Sequence, residues 1–144
     1  MRIKVLVILF ISFSFNLIGE NFIELRPSKA TLTMDLGDME VWLEKTENNI
    51  WEMGSKVDGG RLFQREEISA FELNQNSLIP LDHKRSMKIL FRGTAKSFVH
   101  FDWENLTLDY QEGKNKGSIT LIDGTLGPAT AQLKMRLDIS SMDI

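Results

Sequence analysis

Alternation between apolar and polar residues from Ser97 to Ile122 is the feature that most constrains what this chain can fold into. The apolar members are Val99, Phe101, Trp103, Leu106, Leu108, Tyr110, Ile119 and Leu121. A period of two places alternate side chains on opposite faces of a strand. The stretch therefore predicts three strands, joined by two polar turns, with one buried face and one face in water.

The same period continues upstream of this stretch. It predicts strands at 29–36, 39–44, 50–57, 65–73 and 78–91. The segments between them are rich in Asn, Asp and Gly, which tolerate the dihedral angles of tight turns. Gly37 and Asp38 are the predicted turn of the first hairpin. Trp42 shares its face with Glu40 and Glu44, so it either packs across a strand or marks a contact site.

The pattern changes after Ile122. A cluster of turn residues precedes Pro128, which suits the first turn of a helix, and apolar residues then recur at spacings of three and four as far as Ile139. The sequence therefore predicts a mainly β fold with one C-terminal α-helix packed on the sheet. The sheet is expected to be curved and antiparallel, a meander that is open or forms a half-barrel.

The first nineteen residues have the layout of a secretory signal peptide. Arg2 and Lys4 precede an apolar run from Val5 to Ile18, and Gly19 offers a cleavage site. This run is shorter than the roughly 20 apolar residues that cross a bilayer. We therefore expect cleavage after Gly19, a single β-rich domain from 20 to 144 with no membrane span, and a periplasmic location. Alternatively, the segment stays uncleaved and anchors the protein in the inner membrane.

Charge and cysteine content exclude some functions. Without Arg2 and Lys4, fifteen of the 17 Lys and Arg residues remain against 20 Asp and Glu, which is a net charge of −5. This balance argues against a general binder of nucleic acids or anionic membranes. The chain has no cysteine, so no disulfide framework supports the domain. We predict no metal site and no cofactor.

Two histidines are the first residues to consider for catalysis. His100 and Asp102 share one face of a strand, about 7 Å apart, and a carboxylate beside an imidazole can orient a general base. No nucleophile accompanies them at a recognisable turn, so a hydrolase is the alternative interpretation rather than the first one. His83 lies in a polar run beside Asp82 and is expected to be exposed.

A basic run with two aromatic residues is the better candidate for binding. Its cations are Lys84, Arg85, Lys88, Arg92 and Lys96, and its aromatic residues are Phe91 and Phe98. Such residues can hold an anionic head group, although charged strand positions also keep a sheet edge soluble. We predict a non-enzymatic domain that binds a lipid-like ligand or an envelope protein. The residues predicted to bind are Trp42, Phe91, Arg92, Lys96 and Phe98.

Three segments resemble the bacterial exported proteins grouped as domain of unknown function 3108. They are EEISAFELNQNSLIPL at Glu66–Leu81, VHFDWEN at Val99–Asn105, and DGTLGPATAQLKMRLDI at Asp123–Ile139. The resemblance implies an envelope protein with a mainly antiparallel sheet and no established activity. It also implies further strands after the helix, so this chain is expected to be a shortened version of the domain. An assembly module that pairs through an open sheet edge is therefore another alternative.

Overall fold

A computed structural model describes residues 24–35, 37–47, 49–75 and 77–141, and the predicted signal peptide lies outside these ranges. The elements are β1 (Ser28–Met34), β2 (Gly37–Glu47), β3 (Ile50–Asp58), β4 (Phe63–Asn74), β5 (Ser77–Ile89), β6 (Gly93–Asp102), β7 (Thr107–Glu112), β8 (Asn115–Thr120) and α1 (Pro128–Ser141). The strands form one antiparallel sheet in the order of the sequence. Within the described residues, β1 and β8 pair on one side only. The predicted mainly β class, the antiparallel meander and the packed helix are confirmed.

Two predicted turns are displaced. Met34 pairs with Gly37, so Gly37 and Asp38 belong to β2 rather than to the turn. Strand β5 ends at Ile89, and residues 90–92 form a turn, although the alternation had included residues 90 and 91 in the strand. The second error arises because Leu90 and Phe91, which are apolar residues in a turn, look like strand positions when only their spacing is considered.

The alternation also fails between Trp103 and Leu106, which we had placed in strands. The side chain of Asp102 accepts hydrogen bonds from the backbone N–H groups of Glu104 at 3.1 Å and Asn105 at 2.9 Å. Such a local side-chain bond offers the backbone an alternative to the strand ladder. The chain therefore turns immediately after β6, and Leu106 adopts a φ of +54°.

The helix defines the inner face of the sheet, and the opposite side is the outer face. On the inner face, α1 packs against β4 and β5. The buried core consists of Leu25, Leu43, Trp51, Phe71, Ala129 and Leu133. Leu25 precedes β1 and lies outside every predicted strand, yet its side chain is only 6% exposed.

Hydrogen bonds and close contacts at Gly127 determine where α1 begins. The hydroxyl of Thr130 accepts a hydrogen bond from the Gly127 N–H at 2.8 Å and lies 3.1 Å from the Gly127 carbonyl oxygen. A Cβ at residue 127 would lie 3.1 Å from Pro80 and 3.3 Å from Phe101. Glycine therefore allows the helix N-terminus to approach β5 and β6 closely, with Pro128 as its first residue.

Candidate functional site

The centre of the outer face carries a row of four side chains, one from each of four neighbouring strands. Ile68 on β4 pairs with Lys84 on β5, which pairs with Phe98 on β6, which pairs with Gln111 on β7. Directly paired residues in an antiparallel sheet place their side chains on the same face. The antiparallel register therefore brings together residues that lie up to 43 positions apart in the sequence.

A second row lies beside the first and completes a cleft of about 700 Å³. In it, Glu66 pairs with Ser86, which pairs with Lys96. The cleft is lined by residues of both rows, together with Thr94, Gly113 and positions 85 and 97 of β5 and β6. It therefore combines apolar surface from Ile68 and Phe98 with positive charge from two lysines.

The positive charge lies directly against the aromatic ring. The Nζ atom of Lys84 is 5.8 Å from the centroid of the Phe98 ring, which is the range of a cation–π contact. On its other side, the Phe98 ring stacks on His100, with centroids 6.3 Å apart and planes inclined by 9°. The ring thus contacts Lys84 on the neighbouring strand β5 and His100 on its own strand β6, and Lys84 and Lys96 remain exposed to solvent.

His100 has a different carboxylate partner from the one that its own strand suggests. Its Nδ1 atom lies 2.7 Å from Oδ1 of Asp82, the residue opposite it on β5. Asp102 instead stabilises the turn that follows β6. Besides the backbone hydrogen bonds to its Oδ1 atom, its Oδ2 atom accepts a hydrogen bond from the Asn105 side chain at 2.7 Å. The hydrogen bonds from Asn105 hold the pKa of Asp102 below its ordinary value.

His83 was predicted to be exposed, and this prediction is wrong. It lies half-buried on the inner face, where its Nδ1 atom is 2.8 Å from the hydroxyl of buried Ser69. Burial lowers the pKa of His83 below 6.5, and the negative charge of Glu67 partly opposes the shift. Serine bonds the Nε2 atom in Ser-His-Asp catalytic triads, whose Nδ1 is reserved for the carboxylate. The pair is therefore better explained as a satisfied polar contact within the sheet.

The five residues predicted to bind a ligand fall in three places. Phe98 and Lys96 line the cleft. Trp42 lies on the outer face of β2 with its ring over Gly54, so it packs across a strand. It also lines a separate shallow depression of about 600 Å³ between β1, β2 and β3. Phe91 and Arg92 lie in the turn between β5 and β6, at one end of the sheet.

Ile68 and Gln111 belong to the first row of the cleft, and the sequence analysis did not single them out as binding residues. Neither belongs to the basic run, and only the register of the strands places them beside Phe98. Lys84 had been noted as a member of that run, although not as a binding residue. A simple hairpin alignment of β4 with β5 would have paired Ile68 with His83, because the register shift between Ala70 and Phe71 that brings Ile68 opposite Lys84 is not visible in the sequence.

Among residues 24–35, 37–47, 49–75 and 77–141, no group of three or more His, Cys, Asp and Glu side chains is arranged to hold a metal ion. No helix in these ranges has both the length and the apolar character to cross a membrane.

Comparisons with protein-family models, with curated proteins and with solved structures find no match to this chain. The resemblance to the exported family of unknown function therefore stays a prediction.

Proposed function

We propose that this chain is a non-enzymatic, exported domain of the bacterial envelope that binds a lipid-like ligand in the outer-face cleft. The anionic group of the ligand contacts Lys84 and Lys96, and its apolar part lies on Phe98 and Ile68. The observation that carries the proposal is the contact of Lys84 with the Phe98 ring inside a cleft of about 700 Å³.

The composition of the cleft favours an amphiphile over a purely polar or purely apolar ligand. Its volume lies within the range of small-molecule sites, which is roughly 300–1,000 Å³. The half-buried ring of Phe98 contributes apolar contact area, and two lysines with one opposing Glu66 favour a negatively charged group. Export through the predicted signal peptide would place the domain where lipids and their derivatives are available.

Two alternatives remain as hypotheses. A hydrolase based on His100 now has Asp82 as its orienting carboxylate, and it predicts that His100→Ala abolishes a measurable turnover. Assembly through a sheet edge is favoured by β1 and β8, which each pair on one side only within the described residues. This alternative predicts a mass in solution that rises with protein concentration.

Titration calorimetry with dodecyl phosphate and with dodecanol, both below their aggregation limits, tests the ligand class. We expect dodecyl phosphate to bind more tightly, because only it offers an anion to the lysines. Lys84→Gln and Lys96→Gln are each expected to weaken its binding by about two- to fivefold, as for an exposed charge pair. Phe98→Ala is expected to weaken the binding of both ligands by about tenfold.

The matched control is Lys45→Gln, which removes an exposed lysine from β2, outside the cleft. It is expected to leave both affinities unchanged. Equal affinity for dodecyl phosphate and dodecanol would contradict the proposal that Lys84 and Lys96 contact the anionic group of the ligand. Equal losses in Lys45→Gln and Lys84→Gln would show that the overall charge of the chain, rather than the cleft, determines binding.

A further inference from the structure

Two hairpin turns lie side by side at one end of the sheet and expose large apolar side chains. Leu62 belongs to the turn between β3 and β4, and Leu90 and Phe91 belong to the turn between β5 and β6. Their exposed fractions are 63%, 39% and 96%. The backbone N–H of Leu90 donates a hydrogen bond to the Leu62 carbonyl at 3.0 Å, so the two turns form one surface. We call these three residues the apolar tip.

The backbone at Phe91 makes this exposure more unusual. Phe91 has a φ of +64°, in a turn closed by a hydrogen bond from the Arg92 N–H to the Ile89 carbonyl at 3.0 Å. Side chains with a Cβ are disfavoured in this conformation, and turns usually place Gly or Asn there. An aromatic residue in a strained conformation and almost wholly in water contributes nothing to the core. Strain of this kind is concentrated at functional positions.

Positive charge surrounds the apolar tip. Arg61, Lys88, Arg92 and Lys114 are exposed at this end of the sheet, and we call them the basic collar. None of the four has an ion-pair partner within the described part of the chain. Two acids lie near the tip: Glu112, which is 3.4 Å from Arg85, and Asp58, whose Oδ1 atom accepts hydrogen bonds from the Gly60 N–H and the Gln64 side chain. The local charge at the tip is therefore positive, although the whole chain is acidic.

From these observations we propose that the apolar tip inserts into the interfacial region of an anionic lipid bilayer, with the basic collar at the level of the lipid head groups. Apolar residues at the boundary of the acyl chains and cations at the head groups are the arrangement of interfacial membrane binding. A projecting tip needs no complementary pocket in such a partner. The proposal goes beyond the ligand cleft, since Lys84, Lys96 and Phe98 take no part in it.

Depth measurements with a nitroxide label test the orientation directly. The chain has no cysteine, so Leu62→Cys in the full chain provides a single labelling site in the tip and leaves Phe91 in place. Leu106→Cys is the matched control, because Leu106 is a leucine of similar exposure, 54%, in the turn between β6 and β7 at the opposite end of the sheet. The probe is a vesicle of equal parts phosphatidylglycerol and phosphatidylcholine.

We expect the label at residue 62 to lose contact with a water-soluble relaxing agent and to gain contact with oxygen when vesicles are added. The label at residue 106 is expected to stay in water. This readout is local, so binding of the chain through the apolar segment Val5–Ile18 does not imitate it.

Variants of the tip provide a second measurement, by vesicle flotation. Phe91→Gly and Leu106→Gly both remove a residue with a Cβ from a positive-φ position, so both are expected to fold. Phe91→Gly is expected to weaken the partition of the protein into the vesicles by about tenfold or more, whereas Leu106→Gly is expected to leave this partition unchanged. Arg92→Gln is expected to weaken partition by about fivefold on the anionic vesicles only, whereas Lys45→Gln has no effect.

Three outcomes would overturn the proposal. A label at residue 62 that stays in water on vesicle-bound protein shows that the tip does not insert. Equal burial of the labels at 62 and 106 shows that insertion is not directed by the tip. Immobilisation of the label at 62 without vesicles, together with a rise in mass, shows that the tip contacts a second copy of the chain.

Discussion

Leu133→Ala tests whether α1 is held on the sheet. Leu133 is 1% exposed in the core cluster that contains Trp51 and Phe71. The substitution removes three buried carbons at about 0.8 kcal/mol each, which amounts to about 2.4 kcal/mol. The cavity left beside the sheet raises the loss of unfolding free energy to about 3–4 kcal/mol.

Urea unfolding followed by tryptophan fluorescence measures this loss. With a slope of about 2 kcal/mol per molar urea, the midpoint is expected to fall by about 1.5–2 M with an unchanged slope. The matched control is Met135→Ala on the same helix. Met135 is 58% exposed, and Met and Leu have similar helix propensities, so its loss is expected to stay below about 0.5 kcal/mol. Equal midpoints for the two variants would refute the docking of α1 against β4 and β5.

Three further predictions use the same unfolding assay. Gly54→Ala is expected to destabilise the fold by about 1–3 kcal/mol, because the new Cβ would collide with the ring of Trp42. Stability is expected to fall as the pH decreases below 6.5, because the lowered pKa of His83 lets the unfolded chain bind a proton before the folded chain does. The loss is complete below the folded pKa and is absent above pH 6.5. Leu106→Gly is expected to stabilise the fold by about 0.5–1 kcal/mol by relieving its positive φ.

Each of these predictions has its own control. When Trp42 is replaced by Ala, the methyl group added by Gly54→Ala no longer meets the indole ring. The loss of unfolding free energy caused by Gly54→Ala is then expected to be smaller. An unchanged loss would argue against the collision. The stability curves of His83→Gln and of the parent chain are expected to run parallel above pH 6.5 and to differ in slope between pH 6.5 and the lower, folded pKa of His83. A constant difference at every pH would remove His83 as the cause. A destabilised Leu106→Gly variant would show that the leucine side chain contributes more than its strained backbone costs.

His83 was expected to be exposed because it lies in a polar run, and periodicity would not have corrected this prediction. Leu78 and Pro80 face inward, and strict alternation would then turn residue 83 outward. The register between β4 and β5 shifts between Ala70 and Phe71, so one extra residue on β5 changes the face of every later side chain. Pro80 and His83 consequently share the inner face. Nothing in the composition of this segment identifies the bulge.

The candidate site was only partly predictable for a related reason. Phe98 and Lys96 were chosen because they belong to a basic and aromatic run, and both line the cleft. Phe91 and Arg92 belong to the same run but lie in a turn, because β5 ends before them. Ile68 enters the site through strand pairing alone. Proximity in sequence is therefore a weak guide to proximity on a sheet.

The sequence by itself determined the class of structure. Period-two alternation requires strands with one buried face, polar turns between them favour a meander, and Pro128 followed by helical spacing requires a helix. Only the tertiary structure decided which face each strand presents and which turns lie side by side. These depend on register, on one bulge, and on hydrogen bonds such as those of Asp102. Each is a contact between particular atoms, which hydrophobic periodicity does not encode.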